Sequence, residues 1–596
     1  MKFVNVLFVV LLYCTHLSAQ VTLPNNLYFT HIGVEDGLCQ NTVCCILQDH
    51  LGFIWLGTKD GLTRYDGYRF RVFKHDAADP MSIGNNFIRV LYEDADGLIW
   101  IGTNVGVYIY NPETENFRKF DVATERGDVI SREVSSIKCD SSGDLWIGVN
   151  WQGVFRYDRR DESLELYEPV PGDTTSLSSV HVWDLCFDGD GNLWVGSQNG
   201  GLDRYDRETD RFVRHRLKGL SDVSRIVLDK QNQLLLGTMK DGLFSFNPYM
   251  GTCQPLLLDS GHKDLFVRAI FVRNSREVVV GTENGIYIYD CVTRKTRHVN
   301  QELGNPYSLS CKAVYSIYCD KEGALWIGTY FGGVNYLPPS SSLIFDKFYP
   351  IGHSDRLSGK AVREFVRDEN GIIWIGTEDQ GLNRFDPVSG KFTHYNSRNS
   401  GLSCDNVHGL CVDGDRLYIG TFFGGFNIMD LKTNEIVALG SQMLPDDSVF
   451  SIFRDHDGRI WVGLTYGLCL FHPEDGAFEL VREIPENLFI YDIYQGDDGI
   501  IYFAAYNRGV ITYNPHTGKW GQVESGDEGL LKHVVSINED SAFHIWFGTE
   551  GRGAVRYTPS SGDLTAYTTR DGLPNDVVYN LSSTYKCNFL GADNKQ

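Results

Sequence analysis

The sequence predicts an all-β chain folded as tandem seven-bladed β-propellers, the second incomplete at the C-terminus, and three observations carry that prediction. A phrase of the form Ile-Trp-Ile-Gly-Thr returns at Trp55, Trp100, Trp146, Trp194, Trp326, Trp374, Trp461 and Trp546, with worn copies around Leu235, Val279, Tyr418, Tyr502 and Phe589. These thirteen copies lie 41 to 48 residues apart, the period of propeller blades. Within each period, apolar runs of strand length alternate with Asp, Asn and Gly turns and no helical periodicity intervenes, which fits four antiparallel strands per blade. Seven copies precede the linker-like stretch "LPPSSSL" (Leu337 to Leu343) and six follow it, placing the division between two rings there.

Each strand of the unit has its own reason. The first, such as "VYSIYCD" (Val314 to Asp320), is apolar on both faces because a blade is sandwiched between neighbours. The second carries the Trp, which packs between blades and buries roughly 150–250 Å². A Gly-led third strand (Gly200 to Asp206) and an aromatic fourth (Arg211 to Leu217) complete the unit. The Asp-rich stretches at Asp94, Asp188 and Asp455 resemble calcium loops, but Val105, Asn199 and Tyr466 stand where the closing acid should be. They read as hairpin turns.

The N-terminal "YFTHIGVEDGLCQNTV" (Tyr28 to Val43) is similar to "LTAYTTRDGLPNDVV" (Leu564 to Val578), a fourth strand leading into the next blade. The mature chain is therefore expected to begin with a fourth strand that completes the seventh blade and closes the first ring. By the same logic Ile344 to Pro350 opens a second ring whose last blade the sequence lacks, leaving an exposed edge. The expected division is a signal peptide over 1–19, a first seven-bladed propeller over 20–340 and a truncated second propeller over 341–596.

At 596 residues the chain exceeds what one core supports. Residues 1–19 have the charged start, short apolar run and small-residue end of a secretory signal. No other apolar run reaches spanning length, so no membrane segment is expected in the mature chain. A net charge of −23 without a basic patch argues against a nucleic-acid partner. The fourteen cysteines lack metal spacing, and those at strand ends (Cys139, Cys186, Cys319, Cys411) read as small apolar core residues. No cofactor, no metal and no catalytic residue is expected.

Candidate binding residues emerge by comparing blades at two positions on one face. The residue after the leading Val or Ile of strand one swings in chemistry while its neighbours hold constant: Arg89, Trp183, Arg268 and Tyr315 in the first ring, Arg363, His408 and Tyr491 in the second. The turn after Gly-Thr carries Trp151, Tyr330 and Phe331, then Phe422, Phe423, Tyr466, Tyr506 and Arg508. Sugar faces stack on flat aromatics while Arg binds hydroxyls or acids, so this rim suits an oligosaccharide. Arg89 and Arg268 would suit a uronic acid or sulfated sugar by two-pronged pairing. Against an enzyme, the carboxylates that stand out in strand one, Asp184 and Asp492, fall in different rings, which weakens their pairing as the facing carboxylates of a glycosidase.

The recurring Val-x-x-Ile-x-x-Asp-x-x-Gly-x-Leu-Trp-Ile-Gly-Thr-x-x-Gly-Leu closely resembles the two-component regulator propeller repeat. Following a signal peptide, it is similar to the periplasmic sensor region of hybrid two-component systems of Bacteroidetes. The resemblance implies a sensor of glycan-derived oligosaccharides that works as a homodimer and is anchored in the inner membrane in full-length relatives. It also implies a membrane helix, histidine kinase, receiver and DNA-binding domain after the propellers, none of which the sequence carries. The alternatives are a glycoside hydrolase or lyase on the same scaffold, or a protein-docking scaffold.

Overall fold

The computed structural model describes residues 22–581, apart from 25, 218–219, 221, 257–264, 340–347, 349–355, 440–443 and 486. The expected signal peptide and the copy around Phe589 lie outside the described residues, as does the segment opening the second ring except for Phe348. Two compact units divide the chain, residues 1–346 and 347–596. Each is built of four-stranded antiparallel sheets, seven in the first unit and five in the second among the described residues.

One sheet shows the plan: Val182–Phe187, Leu193–Ser197, Gly201–Asp206 and Arg211–His215 pair in sequence order. In the first unit each first strand touches the first strand of the next sheet, and Val314–Cys319 touches Val43–Gln48, so the seven sheets close into a ring. The seam sheet is made from both ends of the unit. Thr30–Ile32 pairs antiparallel with Val334–Leu337, with His31 opposite Asn335, as the similarity between the two segments predicts. The N-terminal segment and its counterpart from Leu564 to Val578 each then make a single 3-10 turn, Val34–Asp36 and Thr569–Asp571, ended by Gly37 at φ 115° and Gly572 at φ 105°.

In the second unit the five sheets follow one another from Val362–Arg367 to Val534–Glu539, each first strand touching the next. Phe348 packs edge-on against Phe385, their centroids 4.9 Å apart.

The repeated residues have separate structural duties. The turn Asp folds its own hairpin and holds the next strand's Trp: Asp49 Oδ1 accepts from the Phe53 amide at 2.9 Å and Oδ2 from the Trp55 indole at 2.7 Å. The same bond joins Trp100 to Asp94, Trp194 to Asp188, Trp374 to Asp368 and Trp461 to Asp455. Each buried indole thus brings its polar atom with a partner, so burial of roughly 4–6 kcal/mol is not offset by an orphaned donor. The Asp-rich stretches are occupied by these bonds and are hairpin turns. The strand-two glycine is where neighbouring blades meet: a Cβ on Gly328 would lie 2.8 Å from Val43 Cγ1 across the seam. The Thr that follows caps its own turn, Thr329 Oγ1 donating to the Gly333 carbonyl at 2.9 Å.

Candidate ligand-binding site

The position singled out in strand one coincides with a backbone irregularity. In all twelve described sheets the pairing of strands one and two skips one residue: Cys44, Arg89, Ser135, Trp183, Ser224, Arg268 and Tyr315 in the first unit. In the second unit Arg363, His408, Phe450, Tyr491 and Val535 are skipped. A bulge leaves its extra residue outside the ladder and re-aims its side chain. That frees this site to vary while the flanking residues, locked between blades, do not.

The bulge residue meets the first turn residue of its own blade, about fifteen positions on. Arg89 Nε donates to Asn104 Oδ1 at 2.9 Å and Arg268 Nε to Glu283 Oε1 at 2.7 Å. Tyr315 stacks on Tyr330 with centroids 5.1 Å apart, and Arg363 ion-pairs with Glu378 at 2.6 Å. His408 lies 5.7 Å from Phe422, and Tyr491 6.0 Å from Tyr506. The two candidate sets are therefore one set of bulge–turn pairs.

In the first unit the pairs join into an arc. Arg268 lies over Phe266 at 3.9 Å and Tyr315 at 4.5 Å. Tyr330 takes the Lys59 ammonium on its ring at 4.2 Å and on its hydroxyl at 3.1 Å. Lys59 reaches toward Phe87, over which Arg89 is stacked at 4.2 Å. Each end of the arc is closed by a carboxylate, Glu283 on Arg268 at 2.5 Å and Glu133 on Arg89 at 2.9 Å. A neighbouring Glu thus already engages each of the two guanidinium groups expected to suit an acidic sugar. Trp183 joins the arc through Phe266, 6.3 Å away, and its buried indole N–H has no partner among the described residues. Phe331 sits on Tyr330, 4.2 Å away, and is exposed.

The second unit replaces this arc with an aromatic belt. Phe422 touches Phe423, and His408 touches Phe450 at 4.2 Å. Phe450 meets Phe489 at 4.5 Å and Tyr491 at 5.1 Å. Tyr506 extends the belt to His533, 5.0 Å away, and donates its hydroxyl to Glu550 at 2.7 Å. Burial, and then the charge of Arg363, hold His408 down to about 4, so it is a neutral ring at physiological pH. Tyr466 is exposed, and among the described residues no ring contact or ion pair joins Tyr466 or Arg508 to the belt.

Trp151 and Phe423 occupy equivalent turn positions in left-handed backbone, φ 71° and 67°, and are 66 % and 70 % exposed. Asn199 and Asn507 hold the same position at φ 59° and 65°, and Asn is a residue this conformation favours. A bulky aromatic there is strained by about 1–3 kcal/mol. Trp151 is braced edge-on by His181, 4.1 Å away, but among the described residues no ring contact ties the pair to the arc.

The two carboxylates weighed for catalysis are structural stitches. Asp184 Oδ1 accepts from the Leu185 amide at 2.9 Å and Oδ2 from the Ile226 amide of the next blade at 3.0 Å. Asp492 does the same with Ile493 and Ile537, at 2.8 and 2.7 Å.

Sequence reasoning missed Lys59, Phe87, Arg225, Phe266 and His181. Three of these, Phe87, His181 and Phe266, directly precede the leading Val or Ile of strand one, a third position on the same face. Comparing that position from blade to blade would have found them.

The two component regulator propeller family matches residues 37–60, 82–105, 176–199, 308–331 and 443–466. A curated relative, Histidine kinase P4 of Formosa agariphila, is 39% identical over 59 residues, a match covering 10% of this chain and only 4% of that protein. Among solved structures, the extracellular domain assigned to the hybrid two component system BT3049 of B. thetaiotaomicron is 25% identical, with a TM-score of 0.67 over 93% of this chain and 80% of that one. No helix of the described residues is long and apolar enough to cross a membrane. The chain carries two-component regulator propeller repeats and is similar, over most of its length, to the extracellular domain of a hybrid two-component system.

Proposed function

We propose that this chain is the periplasmic, carbohydrate-recognising region of a two-component regulatory protein, binding oligosaccharides released from a glycan without altering them. The observation that carries the reading is the pair Trp151 and Phe423. The fold tolerates Asn at their place, so the aromatics are displayed to solvent against a local backbone preference. Flat exposed rings beside hydrogen-bonding side chains such as Asn150 and His181 suit the apolar faces and hydroxyls of a sugar. The engagement of Asp184 and Asp492 by backbone amides supports a non-catalytic role, since neither is free to exchange a proton with substrate.

The test is thermal unfolding of the whole chain against a panel of oligosaccharides. A ligand at a hundredfold excess over its dissociation constant adds about 2.7 kcal/mol. One glycan class should shift the transition and be recovered uncut, and Trp151→Ala or Phe423→Ala should remove the shift. Recovery of a cleaved sugar would replace this reading with an enzyme.

A further inference from the structure

The first unit's mouth gathers four cations, Lys59, Arg89, Arg225 and Arg268, which are the charged groups facing the Cys44 thiol. In a chain of net charge −23, this is a local reversal of sign. Glu133 and Glu283 match two of them. The other two have no carboxylate partner among the described residues. Lys59 meets only the hydroxyl and ring of Tyr330 and the ring of Phe87. Arg225 donates only to carbonyls, Nε to that of Arg268 at 2.7 Å and Nη1 to that of Ser224 at 2.9 Å.

Arg225 is drawn out of water and held by carbonyls, and the Asp184 carboxylate, bound to the neighbouring Ile226 amide, offsets only part of its charge without pairing with it. Burial pulls Arg225 below its ordinary value against the opposing charge of Asp184, while burial pushes the Cys44 thiol up to about 11 despite the four cations. A second donor waits at the same mouth: the buried Trp183 indole N–H beside Phe266 has no acceptor among the described residues. Unmatched cations and an orphaned donor call for the same complement, an oxygen-bearing anion.

We propose that the mouth of the first unit holds an anionic group of its ligand, the carboxylate of a uronic acid or a sulfate ester, between the Lys59 ammonium and the Arg225 guanidinium. Arg89 and Arg268, already paired, shape the site from its rim. The proposal rests on the carbohydrate reading for the sugar but not for the anion. Among the described residues the bulges of the second unit carry one cation, Arg363, already paired with Glu378, beside a belt of Phe, Tyr and a neutral His.

The test titrates the whole chain, by calorimetry, with matched neutral, uronate and sulfated oligosaccharides and with sodium sulfate alone. Alkylation of Cys44 by a neutral thiol reagent is followed in parallel by peptide mass spectrometry. The acidic sugar should bind about tenfold tighter than its neutral match and slow alkylation at Cys44. Lys59→Met, a change at a half-buried side chain, should remove that difference. Whether uronate or sulfate gains the more names the source of the anion. Equal binding of neutral and acidic sugars, unchanged by Lys59→Met, would overturn the anion site and leave the glycan reading standing. Protection of Cys44 by sodium sulfate with no sugar bound would do the reverse. No binding and no protection would overturn both.

Discussion

Where the first unit places Arg89, Arg268 and Tyr315 on its bulges, the second places His408, Phe450 and Tyr491 on the same bulges of the same strand. The frames beneath hardly differ: Trp194 reaches Asp188 in the first unit as Trp461 reaches Asp455 in the second, at 2.8 and 2.9 Å. The mouths differ, one a chain of cations on aromatic rings, the other a belt of aromatic contacts with one bulge cation, Arg363, tied to Glu378. A repeated bulge separates the two properties. It takes one residue per blade out of the ladder, so recognition can change without disturbing strand pairing or the packing between blades.

If frame and mouth are separable, removing the shared stitch should damage both units alike and spare binding. Asp184→Ala strands two amides and the Ser136 hydroxyl, and Asp492→Ala strands two amides. Each should lower stability in urea by about 2–4 kcal/mol, Asp184→Ala by the larger amount, with sugar affinity of the folded protein unchanged. Loss of affinity without loss of stability would break the comparison.

A smaller effect should appear in the second unit alone. Burial, and then the charge of Asp492, raise the Glu364 carboxyl to about 8. Its folded value lies above the ordinary 4.5, so ionisation works against folding: the penalty is absent below about pH 4.5 and complete above about pH 8. Glu364→Gln keeps the oxygen that accepts the Phe365 amide at 3.0 Å. It should raise the second unit's unfolding temperature by about 3–6 °C at pH 9, leave it unchanged at pH 4, and leave the first unit untouched at both.

The smallest effect sharpens the comparison at one equivalent position in each mouth. Trp151→Asn and Phe423→Asn should each stabilise the fold by about 0.5–1 kcal/mol by relieving left-handed strain, seen in chemical unfolding. Each should weaken whatever its own mouth binds. A Trp151→Asn variant that is less stable would show that the edge contact with His181 outweighs the strain.

Much of the frame was legible in the sequence because period, turn chemistry and the Trp strand are local and repeat. The seam strand was legible because Tyr28 to Val43 carries the same Asp-Gly-Leu turn as Leu564 to Val578. At the mouth, variability against constant neighbours located the right residues but not their state. Arg268 looks like an open cation in sequence, and only the bulge brings Glu283, fifteen residues on, into hydrogen-bonding reach. Lys59 is an ordinary turn residue in sequence and becomes part of the site through Tyr330, 271 positions away across the seam. Such contacts between blades have no local signature, and Arg225 was missed for the same reason.

The seam also imposes an order on folding. Thr30–Ile32 finds its partner only in Val334–Leu337, so the earliest strand of the unit must wait for about 300 further residues to be made. At roughly 5–20 residues per second that is a delay of tens of seconds. During it the three-residue strand and the apolar edge of the first blade, Val43 included, stand uncovered. Contacts so distant along the chain are slow to form, and an unpaired edge is the surface on which chains join wrongly. For this ring, therefore, the hazardous moment is the interval before the last blade arrives.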